Sequence, residues 1–293
     1  MKKSNSMTDK IIKCIIYIAL LFLAVSIIVP VGWVFLASIK ENSEFYGSPW
    51  VLPKGLYFQN FVDAFEKASM GDYMLNSIIT TALGLLLLLV IALPAAYVLS
   101  RYKFFGSKLL NVLFMGGLFI NVNYIVVPIF LMLVDADKIV RGWFGSGFFL
   151  NNLFITALVY ASTSLPFTIY LLSGFFVTIP KDYEEAAFVD GSSYFRTMVQ
   201  IMMPMAKPSI ITVILFQFLA YWNEYIISMT LLTTKEKKTL PVGLMQLMQA
   251  QQAAAQYGQL YAGLVIVMLP TLILYILVQK RLTEGMSLGG LKG

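Results

Sequence analysis

Glu184-Glu185-Ala186-Ala187-Phe188-Val189-Asp190-Gly191, continuing through Ile201, Pro204 and Pro208, interrupts two long apolar runs with charge, a glycine and two prolines. In a chain made mostly of hydrocarbon, such an interruption belongs outside a bilayer, where carboxylates and irregular backbone are solvated. Its local chemistry predicts two short helices with a bend between them. Pro180 suits a helix start, Asp182 an N-cap, and Glu185 three residues later completes a D-x-x-E capping box. Gly191 suits the left-handed residue that ends a helix, after which Ser192 or Ser193 can cap the next. In that second helix Tyr194, Met198 and Ile201 share a face beside Phe195 and Met202, with Arg196 and Gln200 opposite, so one face is free to pack. Pro204 is read as its end and Pro208 as the start of the following span.

Composition fixes the setting of this interruption. The chain has 293 residues, 59% of them hydrophobic and 12% charged, with a mean hydropathy of +0.78. A soluble globule carries about a quarter charged residues, so this is an integral membrane protein. A helix needs about 20 apolar residues to cross a hydrocarbon core of about 30 Å. The stretches 15–38, 75–100, 109–133, 150–177, 209–232 and 260–279 qualify. The expected fold is therefore an all-α polytopic bundle of six transmembrane helices with both termini on one side. Its parts are an N-terminal segment 1–14, a first span 15–38, an outer loop 39–74, a core 75–279 that includes the polar loop 178–208, and a tail 280–293. The basic N-terminus precedes an apolar run too long for a signal-peptide core and without an A-x-A cleavage site, so the first helix is read as retained.

Orientation follows from lysine and arginine. One side would hold Lys2, Lys3, Lys10 and Lys13, then Arg101, Lys103 and Lys108, then Lys181, Arg196 and Lys207, and finally Lys280, Arg281 and Lys292. The other holds fewer: Lys40, Lys54, Lys67, Lys138, Arg141, Lys235, Lys237 and Lys238. The positive-inside rule places the richer side, both termini and the 178–208 loop in the cytoplasm. The net charge of +6 is scattered over loops with no basic, aromatic-interleaved patch, which argues against nucleic acid. Histidine is absent and Cys14 stands alone, which leaves no disulfide framework and no cysteine or histidine metal spacing.

On the outer side, the long 39–74 segment is expected to contain short interfacial structure, and the run Gln246 to Gln256 to be helical. The segment from Asp135 to Gly147 reads as a short connection. Proline interrupts five spans, at Pro30, Pro94, Pro128, Pro166 and Pro270, which is compatible with kinked helices beside a cavity.

Within the spans as drawn, Glu224 is the one ionisable side chain, set in Tyr221-Trp222-Asn223-Glu224-Tyr225. A carboxylate there faces protein or water, either for function or as a hydrogen-bonded knot in which Asn223 and the Trp222 indole fix the helix. The remaining polar candidates for a substrate path are Asn121, Asn123, Tyr124, Tyr170, Gln217, Tyr221 and Asn223. Neutral amides and aromatic faces suit a sugar, and equally hold membrane helices together without any ligand. Asn121 and Asn123 lie two apart, so they fall on different helix faces.

Several of these elements resemble a known family. Glu185-Ala186-Ala187, Gly191, Ile201 and Pro204 have the spacing of the EAA loop of ABC importer permeases, with Met203 where leucine is usual. The WNEY string is similar to the WNE-plus-aromatic element of maltose-type sugar permeases, as are Asn60-Phe61, Asn76-Ser77 and Leu165-Pro166-Phe167. The end Gly285 to Gly293 resembles the G-x-x-x-G-x-x-K-G tail of the same group, which reaches the interface of the ATP-binding subunits.

The resemblance implies the second permease of a maltose-type or multiple-sugar importer in a bacterial cytoplasmic membrane, with an ABC importer type I permease-like bundle. It implies a second permease as heterodimeric partner, two ATP-binding subunits carrying ATP and Mg, and an extracytoplasmic solute-binding protein. It also implies that Glu184, Glu185, Ala186, Ala187, Asp190, Gly191, Ile201 and Pro204 form the joint to the ATPase. No G-x-x-x-x-G-K-[ST] string occurs, so the chain needs its ATPase elsewhere and has no cofactor of its own. Two alternatives stay open: a permease for glycerol phosphate or another polar solute, and an intramembrane enzyme. The first lacks an intramembrane Arg or Lys, the second a companion for Glu224.

Overall fold

The computed structural model describes residues 7–46, 48, 50–254 and 256–289, and the regular structure among them is helical throughout. Contacts divide the chain into two units, 1–69 with 246–268, and 70–245 with 269–293.

The first unit begins with helix α1 (Met7–Ser38). The apolar window of this helix has none of its residues buried against the other described residues of the chain, so its apolar surface is left for surroundings outside them. A 3₁₀ turn (Asn42–Phe45) and helix α2 (Gln59–Glu66) follow, the short structure expected of the long outer loop. Lys40 is fully buried here, donating to Val51 O at 2.8 Å and lying over the rings of Trp33 and Phe45 at 5.4 and 4.8 Å. The aromatic faces supply attraction to its ammonium that burial takes away from water. The Asn60 amide joins α2 to the end of α1 by donating to Ser38 O and Lys40 O at 2.9 and 2.8 Å.

The second unit starts with α3 (Met70–Arg101), α4 (Ser107–Gly117), α5 (Val122–Phe144) and α6 (Leu153–Thr178). The short α7 (Asp182–Val189) and α8 (Tyr194–Met205) lead into α9 (Lys207–Trp222) and α10 (Ile226–Leu231). Two further helices, α11 (Leu240–Ala254) and α12 (Tyr257–Gly289), complete the order. The centre of the second unit is the pair α3 and α6. Leu88, Ala92 and Ala96 recur every four residues on α3, which turns one narrow face toward Ala161, Ile169, Leu172 and Phe176. Small residues on that face let the two backbones approach, the usual source of packing in lipid, where hydrophobic drive between helices is absent.

Among the described residues four helices are long and apolar enough to cross a membrane: α1, α3, α6 and the 257–279 part of α12. The total reaches six when each of two bent pairs is one span. The first pair, α4 with α5, corrects the sequence reading, as does a separate break between α9 and α10; the second pair is α8 with α9, bent by 75°. The stretch 109–133 is not one helix, because α4 and α5 meet at 107°. Gly116 and Gly117 weaken the helix there, and the Asn121 side chain restarts it by accepting from Asn123 N at 2.9 Å. The stretch 209–232 is broken too: α9 stops at Trp222 and α10 begins at Ile226. The segment from Asp135 is also no simple connection, since α5 continues to Phe144. Pairs of Asp135 with Lys138 and Asp137 with Arg141, at 2.9 and 2.8 Å, carry the helix through those charges.

Candidate functional site

In the 178–208 loop, α7 starts at Asp182 with Lys181 as N-cap and no side-chain cap, so the expected capping box is not formed. Asp182 is already helical, and Asp182, Glu184 and Glu185 sit together in the first turn, where carboxylates suit the helix dipole. The two adjacent glutamates have opposite fates. Glu185 is exposed, whereas Glu184 is buried at 7% exposure.

Glu184 is buried because Arg101 reaches it. Arg101 Nε donates to Glu184 Oε2 at 2.8 Å, Nη2 closes a second bond to the same oxygen, and Tyr97 Oη donates to Oε1 at 2.7 Å. Arg101 Nη1 also donates to Phe176 O and Ile179 O at 3.2 and 2.9 Å, at the C-terminal end of α6, where Phe176 O also accepts from Ile179 N and Ile179 O lies past the last helical bonds. One guanidinium thus ties the ends of α3 and α6 to the start of α7. Such a planar fork suits this task where a lysine would not.

The end of α7 follows expectation. Gly191 has φ +77°, its N–H donates to Phe188 O at 3.0 Å, and Ser192 N–H donates to Ala187 O at 2.9 Å, a Schellman arrangement. Ser193 Oγ then caps α8 by accepting from Arg196 N at 3.3 Å. Inside α8 the residues Met198–Met202 form a π turn, with Met203 N–H donating to Met198 O. Pro204 offers no N–H, so the wider turn falls where α-helical bonding is already weakened. The extra residue changes the expected face: Met198 and Met202 are buried, Ile201 is half-buried, and Tyr194 and Phe195 are exposed. Pro204 lies inside α8 rather than ending it, the 75° bend comes at Ala206, and Pro208 opens α9.

Of the eight coupling candidates, Glu185, Ala186, Asp190, Gly191 and Pro204 are exposed and Ile201 half-exposed, while Glu184 and Ala187 face the bundle. The exposed rim also carries Val189, at 87%. The result is a short helix held from behind and open in front.

Glu224 lies in the break between α9 and α10. Its Oε1 accepts from Ile227 N at 2.7 Å, and its Oε2 accepts from Ser228 N at 3.0 Å and from Tyr160 Oη at 2.9 Å. Tyr160 Oη also touches Ser228 Oγ. The carboxylate therefore caps the first N–H groups of α10 while holding α6, a hydrogen-bonded knot built with Tyr160 and Ser228. Asn223 turns back to donate to Leu219 O at 2.8 Å. Gln217 and Tyr221 are buried, donating to Thr168 Oγ1 at 3.2 Å and Tyr160 O at 3.1 Å. The other path candidates lie apart: Asn121, Asn123 and Tyr124 are exposed at the α4–α5 break, and Tyr170 is exposed on α6.

The Asn-Ser pair of α3 has a partner that sequence does not reveal. Asn76 Nδ2 donates to Glu236 O and Lys238 O, both at 2.9 Å, and Ser77 Oγ accepts from Leu240 N at 2.8 Å. Asn151 Oδ1 accepts from Thr233 N and Thr234 N at 2.7 and 2.8 Å. The 233–240 connection is thereby fastened at both ends. The tail motif reaching Gly293 lies partly outside the described residues, which end at 289.

The family of binding-protein-dependent transport system inner membrane components matches residues 89–287, a range that contains the α7–α8 loop and the Glu224 knot. The chain belongs to that family. It is an ABC importer permease, a membrane-embedded transport component rather than an enzyme. The permease is 33% identical to the diacetylchitobiose uptake system permease protein NgcG of Streptomyces coelicolor, over 98% of this chain and 91% of that one. It is 29% identical to the trehalose/maltose transport system permease protein MalG of Thermococcus litoralis, over 98% and 100%. With the melibiose/raffinose/stachyose import permease protein MelC of Bacillus subtilis it shares 30% identity, over 87% and 88%. Its fold is that of a chain in the crystal structure of a bacterial ABC transporter involved in the import of the acidic polysaccharide alginate. The TM-score is 0.79 at 24% identity, covering 95% of the permease and 99% of that chain.

Proposed function

We propose that this permease, paired with a second permease subunit in a bacterial cytoplasmic membrane, forms the translocation path of a sugar or oligosaccharide importer. Two ATP-binding subunits carrying ATP and Mg dock on the 178–208 loop, and an extracytoplasmic solute-binding protein delivers the cargo. In this reading the two bent helix pairs count as spans, giving six with both termini cytoplasmic, and the loop transmits closure of the ATPase to the bundle. The sugar class rests on the relatives, whose names specify diacetylchitobiose, trehalose or maltose, and melibiose, raffinose or stachyose.

The observation that carries the coupling role is the two-sided character of α7. Glu184 and Ala187 anchor it, while Glu185, Ala186, Asp190 and Gly191 stand exposed on a surface with Val189. Tyr124, Asn121, Asn123, Tyr170 and Asn223 keep exposed side chains and are the path candidates with polar groups to offer; Gln217, Tyr221 and Glu224 are better read as scaffold.

The test uses the complex reconstituted in proteoliposomes with its co-expressed subunits. Glu185→Lys and Gly191→Pro are expected to abolish uptake while ATP hydrolysis persists without responding to the binding protein. Normal uptake with normal, cargo-stimulated hydrolysis in both variants would count against the loop assignment. Ligand titration of the cognate binding protein identifies the sugar.

A further inference from the structure

Two grooves of the second unit run into one another on the side where α3 ends. The first, about 810 Å³, is lined by Arg101, Lys103, Lys108 and Lys181. The second, about 400 Å³, has mostly apolar walls that include Phe114, Met115, Pro166 and Ile169. Leu99, Ser100, Asn111 and Val177 line both, so the space is continuous from a cationic mouth to a hydrocarbon floor.

The cations of the mouth are not equivalent. Arg101 is spent on Glu184 and the end of α6. Lys103, Lys108 and Lys181 are exposed, and among the described residues no acidic side chain forms an ion pair with them. The rim also includes the first turn of α4, which starts behind Gly106, a residue with no side chain to cap it. Helix N–H groups in such a turn favour an anion. Between the lysines, Phe105 projects fully into the surroundings and Phe104 is 42% exposed. Aromatic side chains flanked by lysine settle at the level of lipid headgroups. Charge, depth and shape thus ask for a ligand that is anionic at one end and a hydrocarbon chain at the other.

We propose that this groove holds an anionic glycerophospholipid, with its phosphate among Lys103, Lys108 and Lys181 and one acyl chain in the apolar part beside Ile169 and Phe114. The site rests on the membrane placement of the bundle given above, and its leaflet is the cytoplasmic one. Because Lys181 precedes α7, the bound lipid would sit against the root of the coupling loop. Tyr170, kept among the path candidates above for its exposed side chain, lines this groove, so on this proposal it meets lipid and leaves the cargo path.

Native mass spectrometry of the detergent-solubilised complex, titrated with phosphatidylglycerol or phosphatidylethanolamine, tests this without any transport assay. Each lysine near a membrane surface contributes roughly a fivefold preference for anionic lipid, so the triple variant Lys103→Gln, Lys108→Gln, Lys181→Gln should lose about a hundredfold in phosphatidylglycerol affinity. The matching triple arginine variant should retain it. Substituting Lys235, Lys237 and Lys238 by Gln removes equal charge elsewhere and should change little. Equal binding of the two lipids, equal loss in both glutamine variants, or occupation of the groove by a partner subunit, read by cross-linking from Lys108, would overturn the proposal. Inorganic phosphate failing to displace the lipid would place the selectivity in the intact amphiphile; full displacement would reduce the site to a phosphate site and also count against it. Uptake and ATPase rates, recorded separately, report on the coupling loop and leave the lipid result independent of it.

Discussion

Replacing Arg101 by methionine tests how α7 is held. The substitution keeps a long apolar stem but removes both bonds to Glu184 and the two bonds to Phe176 O and Ile179 O. Glu184 would remain buried with Tyr97 Oη as its one hydrogen-bond donor of those described. Breaking a buried ion pair from one side costs about 3–5 kcal/mol, because the other charge stays desolvated without compensation. Removing both charges avoids that penalty, so Arg101→Met with Glu184→Leu should lie within about 1–2 kcal/mol of the parent. The residual cost comes from the carbonyls at the end of α6. The assay is a double-mutant cycle on apparent stability of the purified complex in one detergent. It is accompanied by a spin label at exposed Val189→Cys in a Cys14→Ser background, which reports the mobility of α7 directly. A loose label and a lowered midpoint in Arg101→Met, both recovered in the double variant, are expected. Additive effects, or a cost below about 1 kcal/mol for Arg101→Met, would refute the clamp, since an exposed pair costs no more than that.

Other positions make independent predictions. Gly243→Ala places a Cβ about 2.1 Å from Tyr73 Cδ2. It should destabilise the bundle by about 1–3 kcal/mol through overpacking, visible as a lower thermal midpoint and relieved by Tyr73→Ala. Glu224→Ala strips the caps from Ile227 N and Ser228 N and should cost about 1–3 kcal/mol, whereas Glu224→Gln keeps an acceptor and should cost less; equal losses would assign the residue a role that depends on charge. Hydrogen bonds from Gln59 and Lys67 hold the Asp63 carboxyl below its ordinary pKa. Its contribution is therefore present above the unfolded carboxylate pKa and fades as pH falls through the lower folded value, so protease protection of the 59–66 helix should weaken only in strong acid. Asp63→Asn should flatten that dependence, and a carboxyl titrating at or above the ordinary range would contradict it.

What was legible in the sequence was chiefly what depends on near neighbours. Gly191, Ser193 and Pro208 act through turn and cap chemistry within a few residues, and each performs the expected role. The capping box failed because α7 starts with Lys181 as N-cap and Asp182 already helical, and the glutamate that does find a partner is Glu184, whose Arg101 lies 83 residues away on another helix. Two adjacent glutamates after one span and an arginine closing another were the available signal. Hydropathy found the apolar length of the third and fifth spans but not their breaks, since Gly and Asn lower the average little while ending a helix outright. In the fifth span the acid three residues before Ile227 was readable as a cap. Asn76 and Ser77 could be recognised by resemblance, but their task of fastening residues 236–240 exists only once α3 stands beside that connection.

The placement of those two fastenings on one helix has a mechanical consequence. Asn76 and Arg101 are separated by about 37 Å of helix at 1.5 Å per residue, and both are tied to parts of the chain outside α3. A tilt of α3 imposed at the Arg101 end is thus conveyed along a single rod to the 233–240 connection at the other. Pro94 removes one N–H from the backbone ladder of that rod without breaking the helix, which runs on to Arg101.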